Sequence, residues 1–208
     1  MKKYVVASWM VFASFAAPAV ATAADAEAGK ASYAVCSSCH GQNGEGNIAL
    51  NSPAIAGQED WYLIRQLKNF KAGIRGKHPK DTHGVTMGPM ASTLADDTAI
   101  ENVAAYIGTF AATKPEVTIT DSDADKGKAL YAVCSSCHGL NAEGKKELNA
   151  PKLTGLQDWY LVRQITNFKE GIRGKDPKDT YGMQMSPMAM TLADEQAIKD
   201  VVAYIKTL

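Results

Sequence analysis

Apolar side chains recur at helical spacing in the first half of the chain. The clearest stretch begins at Asp60, which we expect to be an N-cap, and ends before Gly73. Within it, Leu63, Leu67 and Phe70 follow the i, i+4, i+7 spacing of one helix face. The pattern predicts a helix with one buried side.

Further helices are predicted on both sides of this one. An alanine-rich segment, residues 26–35, leads into a cysteine motif, and another helix starts near Asp96. The apolar face of that last helix consists of Ile100, Val103, Ala104 and Ile107. The connecting segments are rich in glycine, proline and asparagine and lack the alternation of a strand. The predicted fold class is all-α.

The second half of the chain repeats the first. A shift of 98 residues, which places Cys36 on Cys134, aligns the two halves without a gap. The segment around Pro115 has no helical pattern and suits an extended linker. We therefore predict a tandem duplication of one domain, with an N-terminal domain at 24–112, a linker at 113–122 and a C-terminal domain at 123–208.

Residues 1–23 have the pattern of a cleavable secretory signal peptide. Two lysines precede an apolar run at 5–20, and the segment ends on a small-x-small cleavage pattern, Ala21-Thr22-Ala23. The run is short for a membrane span, and no later stretch approaches the roughly 20 apolar residues that a span needs. We expect a soluble mature chain in the periplasm, starting near Ala24. An uncleaved anchor is the alternative, and peripheral association with the inner membrane stays open.

The charge balance excludes one class of partner. The whole chain has 22 basic and 22 acidic residues, and loss of the signal segment removes two lysines and leaves a formal charge of −2. A nucleic-acid-binding protein needs a basic patch. We therefore expect no nucleic-acid partner.

All four cysteines lie in two copies of the motif Cys-Ser-Ser-Cys-His. The copies are Cys36, Cys39 and His40, and Cys134, Cys137 and His138. The two thiols of such a motif can attach one haem covalently while the histidine binds its iron. Redox-active disulfides and a four-thiolate zinc site also use Cys-x-x-Cys pairs, but neither requires a histidine directly after the second cysteine. We predict two covalently bound haem c groups.

The second axial ligand of each iron should be a residue that recurs in both halves. His78 aligns with Asp176 and His83 with Tyr181, so the remaining histidines do not recur. Methionine recurs in one loop of each half, as Met87 and Met90 and as Met185 and Met188. Either methionine of a pair is a candidate. Because a thioether is a soft, neutral ligand that favours the reduced state, methionine ligation predicts a low-spin electron carrier.

On these motifs the chain resembles the cytochrome c4 family, di-haem members of the class I cytochrome c superfamily. The resemblance covers essentially the whole mature chain and includes the Pro-x-[Ile/Leu]-x-Gly and Tyr-Leu-[Ile/Val]-Arg-Gln segments. It implies two class I cytochrome c domains related by pseudo-twofold symmetry. It also implies axial ligation by the earlier methionines, Met87 and Met185, and support of each histidine by the carbonyl of Pro53 or Pro151.

The resemblance implies that the haem propionate edges lie close together between the two domains. Four side chains of the repeated helix either contact these propionates or form a solvated face, namely Trp61, Arg65, Trp159 and Arg163. Two tyrosine pairs, Tyr33 with Tyr106 and Tyr131 with Tyr204, are expected to pack where the first and last helices of each domain cross.

The predicted function is that of an electron carrier rather than an enzyme. Such a carrier takes electrons from a bc-type complex or a dehydrogenase and delivers them to a terminal oxidase. The alternative is the di-haem subunit of a stable enzyme complex, such as a flavocytochrome c sulfide dehydrogenase. A peroxidase needs an open iron site, and the paired methionines argue against one.

Overall fold

The computed structural model of the chain describes Met1 and residues 23–208. Eight α-helices lie in these residues, which contain isolated bridges but no strand. In the first half they are α1 (Ala26–His40), α2 (Asp60–Lys71), α3 (Met87–Ser92) and α4 (Asp97–Ile107). In the second half they are α5 (Ala124–His138), α6 (Asp158–Lys169), α7 (Gly182–Met190) and α8 (Glu195–Thr207). The all-α prediction is confirmed, whereas the signal-peptide prediction falls on residues 2–22, outside the described residues.

Aspartate N-caps fix the start of the helices that flank each domain. The side chain of Asp25 accepts hydrogen bonds from two main-chain N–H groups at the start of α1, and Asp96 caps α4 as predicted. The predicted cap at Asp60 is wrong by one residue. Glu59 is the N-cap, and Asp60 is already helical, where its charge still favours the helix N-terminus. The same correction applies to Asp158, the first residue of α6.

Each domain has its own hydrophobic core, centred on the crossing of its first and last helices. The core of the first domain includes Tyr33, Leu63, Leu94, Ile100, Val103, Ala104 and Ile107. The core of the second includes Tyr131, Leu161, Leu192, Ile198, Val201, Val202 and Ile205. The predicted tyrosine pairs are in contact, with ring centroids 5.5 Å apart in the first domain and 5.4 Å apart in the second.

A glycine permits the close crossing in both domains. A Cβ atom at Gly29 of α1 would collide with the main-chain oxygen of Asn102 in α4, and one at Gly127 of α5 would collide with that of Asp200 in α8. The helix backbones therefore touch at these two points without an intervening side chain. This contact sets the orientation of the cysteine motif at the end of α1 and α5.

The methionine segments are helical, although the sequence predicted loops there. In α3, Pro89 is the third residue, where a helix does not use the main-chain N–H group. Before each methionine segment, a buried carboxylate organises the turn: Asp81 accepts from the N–H of Gly84 at 2.9 Å, and Asp179 accepts from the N–H of Gly182 at 3.0 Å. These turn contacts are not visible in the hydrophobic pattern.

The connection between the domains is held against the second domain. No regular secondary structure occurs at residues 112–120. Asp158, which is 1% exposed, accepts from the N–H of Thr118 at 2.5 Å, the Thr118 hydroxyl at 2.8 Å and the N–H of Ile119 at 2.7 Å. Lys206 donates to the carbonyl of Pro115. The connection is thus extended, with specific anchors.

Candidate functional site

The cysteine motif forms the last turns of α1 and α5. In α1 the three functional residues, Cys36, Cys39 and His40, stand three and four positions apart, which places them on one side of the helix. The helix ends at Gly41, whose φ of 84° is unfavourable for residues with a side chain. The equivalent residues of α5 have the same arrangement. All four thiols are free of disulfide bonds.

A hydrogen bond fixes the orientation of each histidine ring. Nδ1 of His40 lies 2.8 Å from the carbonyl oxygen of Pro53, and Nδ1 of His138 lies 2.7 Å from that of Pro151. A carbonyl oxygen can only accept, so Nδ1 carries the proton in both rings. The lone pair is then on Nε2, which is the nitrogen available to a metal.

Burial keeps both imidazoles neutral. His40 and His138 are 7% and 5% exposed. This burial lowers the pKa of each ring, and the hydrogen bond to the proline carbonyl opposes it only in part. A neutral imidazole is the form that binds iron.

The environment of the thiols argues against a redox-active disulfide. Burial raises the pKa of Cys36 and of Cys134, and the neighbouring cysteine of each motif raises it further. Catalytic Cys-x-x-Cys motifs instead lower the pKa of one thiol to form a thiolate. At Cys36 and Cys134 the surroundings therefore disfavour the thiolate.

The zinc alternative finds no support in the described part of the chain. Among residues 23–208, no three side chains of histidine, cysteine, aspartate or glutamate lie close enough together to hold a metal ion. The two cysteine pairs stand at the ends of different helices in different domains. A shared four-thiolate site is therefore not formed.

The two methionines of each pair differ in exposure. Met87 and Met185 are partly buried. Met90 and Met188, three residues later in the same helices, are 37% and 38% exposed. The two candidates of each pair thus differ in exposure, and the choice between them stays a prediction.

The two domains are docked by contacts that occur in matched pairs. Arg65 donates to the side chain and the carbonyl of Asn149 at 2.8 and 3.0 Å, and Arg163 donates to the same groups of Asn51 at 3.1 and 3.2 Å. A shift of 98 residues converts one pair into the other. Such reciprocal contacts are those of a twofold-related interface. Both arginines contact the opposite domain, and their contact with propionates stays a prediction.

A closed ring of hydrogen bonds lies at the centre of this interface. The side-chain oxygen of Gln66 accepts from Arg75 at 2.8 Å and from Arg173 at 2.9 Å. The side-chain oxygen of Gln164 accepts from Arg173 at 2.7 Å and from Arg75 at 2.9 Å. Both arginines are 8% exposed. We call these four residues the arginine ring.

Two tyrosines complete the polar cluster around the arginine ring. Arg75 donates to the Tyr160 hydroxyl at 3.1 Å, and Arg173 donates to the Tyr62 hydroxyl at 3.0 Å. Burial by itself would raise the pKa of Tyr62, but the guanidinium groups of Arg173 and Arg75 outweigh it and lower the pKa. The two guanidinium groups thus act on the Tyr62 hydroxyl across the interface.

Three buried nitrogen atoms of the described residues have no acceptor. They are Nε of Arg75, Nε of Arg173 and Nε1 of Trp159. Buried donors are normally paired, so these N–H groups indicate room for a group that accepts hydrogen bonds. The two arginines lie in a Gly-Ile-Arg-Gly segment that occurs once in each half of the chain, and they were not among the predicted site residues. Their recurrence in both halves was the available signal.

These features fit a covalently bound haem. Paired thiols lie beside an imidazole with a free Nε2, a partly buried methionine follows in the same domain, and buried donors at the interface can meet an anionic group. The arrangement occurs twice on an all-helical framework. The fold and the site therefore define a two-domain, di-haem c-type cytochrome.

Comparison with known proteins gives the family. The cytochrome c family model matches residues 26–111 and again residues 124–208. Cytochrome c4 of Azotobacter vinelandii is 33% identical over 198 residues, which cover 89% of this chain and 90% of that protein. The crystal structure of reduced recombinant cytochrome c4 from Pseudomonas stutzeri matches with a TM-score of 0.73 at 31% identity, covering 89% of this chain and 100% of that chain.

A further relative is named for a different role. The thiosulfate dehydrogenase electron acceptor of Thiomonas intermedia (strain K12) is 32% identical over 198 residues, which cover 91% of this chain and 84% of that protein. The chain belongs to the cytochrome c family, among the di-haem proteins of the cytochrome c4 type. The predictions of two covalent haem c groups and of an electron-transfer protein rather than an enzyme are thereby confirmed.

Proposed function

We propose that this protein is a periplasmic electron carrier of a respiratory chain. It accepts electrons from a bc-type complex or a dehydrogenase and passes them to a terminal oxidase. The main support is the neutral histidine of each domain, whose Nδ1 is bonded to a proline carbonyl and whose Nε2 is free for iron. Two such sites at one domain interface suit the transfer of single electrons.

Each haem is attached and ligated by four residues in this proposal. The first haem is bound by Cys36 and Cys39, with His40 and Met87 as axial ligands. The second is bound by Cys134 and Cys137, with His138 and Met185 as axial ligands. The partial burial of Met87 and Met185, against the exposure of Met90 and Met188, supports this choice. A histidine and a methionine together leave no open position on the iron.

The haem would supply the one-electron chemistry. The residues of the chain orient the histidine ligands and exclude water. The carbonyls of Pro53 and Pro151 hold the imidazoles in one tautomer and one orientation. The apolar cores around Tyr33 and Tyr131 keep water from the helix crossing beside each motif. No proton transfer is required of any side chain.

Carbon monoxide distinguishes this carrier from a haem enzyme. We expect the purified, reduced protein to bind little carbon monoxide at neutral pH, because both irons have two protein ligands. In stopped-flow experiments, a reduced bc-type complex should reduce the oxidised protein. The reduced protein should in turn be oxidised by a terminal oxidase. Extensive carbon monoxide binding by the native protein would contradict the low-spin assignment.

The proposed domain layout is a signal peptide at 1–23, domains at 24–112 and 123–208, and a linker at 113–122. The two family-model matches, residues 26–111 and 124–208, support the division. No helix among the described residues is long and apolar enough to span a membrane. N-terminal sequencing of the exported protein should begin at Ala24. Retention of the N-terminal segment on membranes would instead support the anchor.

A second candidate is the electron-accepting subunit of a dehydrogenase complex. The similarity to a thiosulfate dehydrogenase electron acceptor favours it, and a sulfide dehydrogenase of the flavocytochrome c type is the related alternative. Purification under native conditions separates the two candidates. A freely diffusing cytochrome supports the respiratory carrier, whereas a dehydrogenase subunit that co-purifies at fixed stoichiometry supports the complex.

A further inference from the structure

The arginine ring contains two buried positive charges and no negative one. The oxygens that bridge Arg75 and Arg173 belong to Gln66 and Gln164, which are neutral amides. Among the described residues, all ion pairs within 4.0 Å are formed by lysines, none by these arginines. Burying a charge without a counter-ion is strongly unfavourable.

Neighbouring groups compensate these charges only in part. Each guanidinium lies 4.5 Å from the centre of a phenylalanine ring, Phe70 for Arg75 and Phe168 for Arg173. Such a cation–π contact offsets only part of the cost of burial. The nearest organised carboxylates, Asp81 and Asp179, already accept hydrogen bonds from the turns that precede the methionine helices. The Nε–H donors of both arginines still lack an acceptor, which an anion from outside the polypeptide could supply.

Both haem sites adjoin the interface that contains the ring. The residue after Pro53, Ala54, donates its N–H to Gln157 of the other domain at 2.7 Å, so the histidine side of the first site meets the second domain. On the methionine side, Arg75 lines a cleft of about 350 Å³ together with Gly88 and Pro89, which follow Met87. Arg75 therefore lies beside the helix segment that directly follows Met87.

We propose that Arg75 and Arg173 receive the propionates of both haems and couple the reduction potentials of the two irons. Propionates are the anionic groups of the cofactor, and the two Nε–H donors without an acceptor belong to these same residues. Each guanidinium is bonded to both domains, so it lies close to both cofactors. This inference rests on the two-haem carrier proposed above and assigns it the residues that set its potentials.

The test is a spectroelectrochemical titration of both haems in the intact holoprotein. A positive charge near a haem stabilises the reduced iron, so Arg75→Gln and Arg173→Gln should each lower both midpoint potentials. We expect a shift of roughly tenfold in the ratio of reduced to oxidised haem at a fixed applied potential, which corresponds to 59 mV for one electron. Oxidation of one haem shifts the midpoint potential of the other. In the double variant this shift should be smaller.

A second variant guards against misfolding of the arginine variants. Gln66→Glu keeps the shape of the ring and places a carboxylate in contact with both guanidinium groups, so it should lower both potentials as well. Arg65→Gln is the matched control, because Arg65 crosses the same interface but binds the neutral Asn149 and has no unpaired buried donor. It should shift the potentials much less.

The outcomes are distinguishable from failure of the proposed function. Two low-spin haems in the visible spectrum and two covalent haems per chain verify the carrier independently of the potentials. With those in place, unchanged potentials in Arg75→Gln and Gln66→Glu would overturn the assignment. A shift confined to the haem of the substituted residue's own domain would overturn the coupling.

Discussion

The choice of ring nitrogen at His40 and His138 depends on one main-chain carbonyl in each domain. Pro53 and Pro151 accept from Nδ1 at 2.8 and 2.7 Å, and burial keeps the rings neutral. Because the acceptor is a carbonyl, a change of side chain at the proline leaves an acceptor in place. The residues whose substitution is informative are therefore the methionines and the linker anchor, Asp158.

The ligand assignment predicts a selective effect of Met87→Ala. Loss of the thioether opens the sixth position of one iron, so about half of the reduced haem should become high-spin and bind carbon monoxide. The potential of that haem should fall, because the thioether favours the reduced state. Optical spectra and a carbon monoxide titration measure both effects. Met90→Ala is the control and should leave the spectrum unchanged; a high-spin Met90→Ala protein would reverse the assignment.

We expect the same substitution to have different effects on stability at Asp158 and at its repeat equivalent, Asp60. Asp158→Asn weakens three hydrogen bonds to the linker and should lower the free energy of unfolding by about 1–3 kcal/mol, measured by urea denaturation. Its repeat equivalent, Asp60, is exposed and contacts only the following N–H group, so Asp60→Asn should have little effect. Equal losses in the two variants would show that the linker contacts do not stabilise the fold.

The same carboxylate predicts a pH dependence. Burial would raise the pKa of Asp158, but the donors of Ile119 and Thr118 outweigh it, so the pKa is lowered from 3.8 in the folded protein. The carboxylate therefore contributes its full stability above pH 3.8, and the contribution is lost as the pH falls through the folded pKa. Urea midpoints of the wild type and Asp158→Asn should converge in acid. A difference that grows on acidification would contradict this.

The crossing of the first and last helices is the element-level feature that builds each domain. It is possible because Gly29 and Gly127 bring helix backbones into direct contact. The apolar face of α4, predicted from spacing, fills the core beneath this crossing. The orientation of α1 and α5, and so of both cysteine motifs, follows from the crossing.

A methyl group at the crossing should therefore be costly. Gly127→Ala places a Cβ against the backbone of Asp200, which cannot move aside like a flexible side chain. We expect a loss of about 1–3 kcal/mol in the free energy of unfolding of the second domain. Lys128→Ala, at an exposed position of the same helix, is the control in thermal denaturation. Unchanged stability of Gly127→Ala would indicate that the helices can separate without cost.

At the scale of the whole molecule, each domain depends on its cofactor and on its partner domain. Each domain has fewer than 100 residues, a size at which the polypeptide core alone is marginal. The interface adds reciprocal hydrogen bonds, and it also buries two arginines whose Nε–H groups have no acceptor. Haem binding is thus expected to contribute to folding as well as to function.

This dependence predicts the behaviour of a chain with one haem. Cys134→Ala combined with Cys137→Ala prevents covalent attachment in the second domain, and roughly half of the far-ultraviolet circular dichroism should be lost if that domain requires its haem to fold. The double variant Ser135→Ala and Ser136→Ala, in the same motif, should retain both haems and full helicity. Native helicity in the cysteine variant would show that the polypeptide folds without the porphyrin.

The sequence by itself determined the parts of this protein that depend on local spacing. The Cys-Ser-Ser-Cys-His motif predicts covalent haem because its chemistry needs only neighbouring residues, and the helical spacing of Ile100, Val103 and Ile107 predicts α4. The repeat at 98 residues predicts two equal domains. The helical methionine segments were missed, because their start depends on the buried carboxylates of Asp81 and Asp179 rather than on an apolar pattern.

Only the tertiary structure decided what happens between the domains. The arginine ring joins residues that are far apart in the chain. The sequence around Arg75 and Arg173 does not show that these arginines are buried. Asp60 and Asp158 are both followed by Trp-Tyr-Leu, yet only Asp158 anchors the linker, because the linker runs along the second domain. When two similar domains dock, equivalent residues acquire different neighbours. Local sequence does not predict these neighbours, because they come from distant parts of the chain.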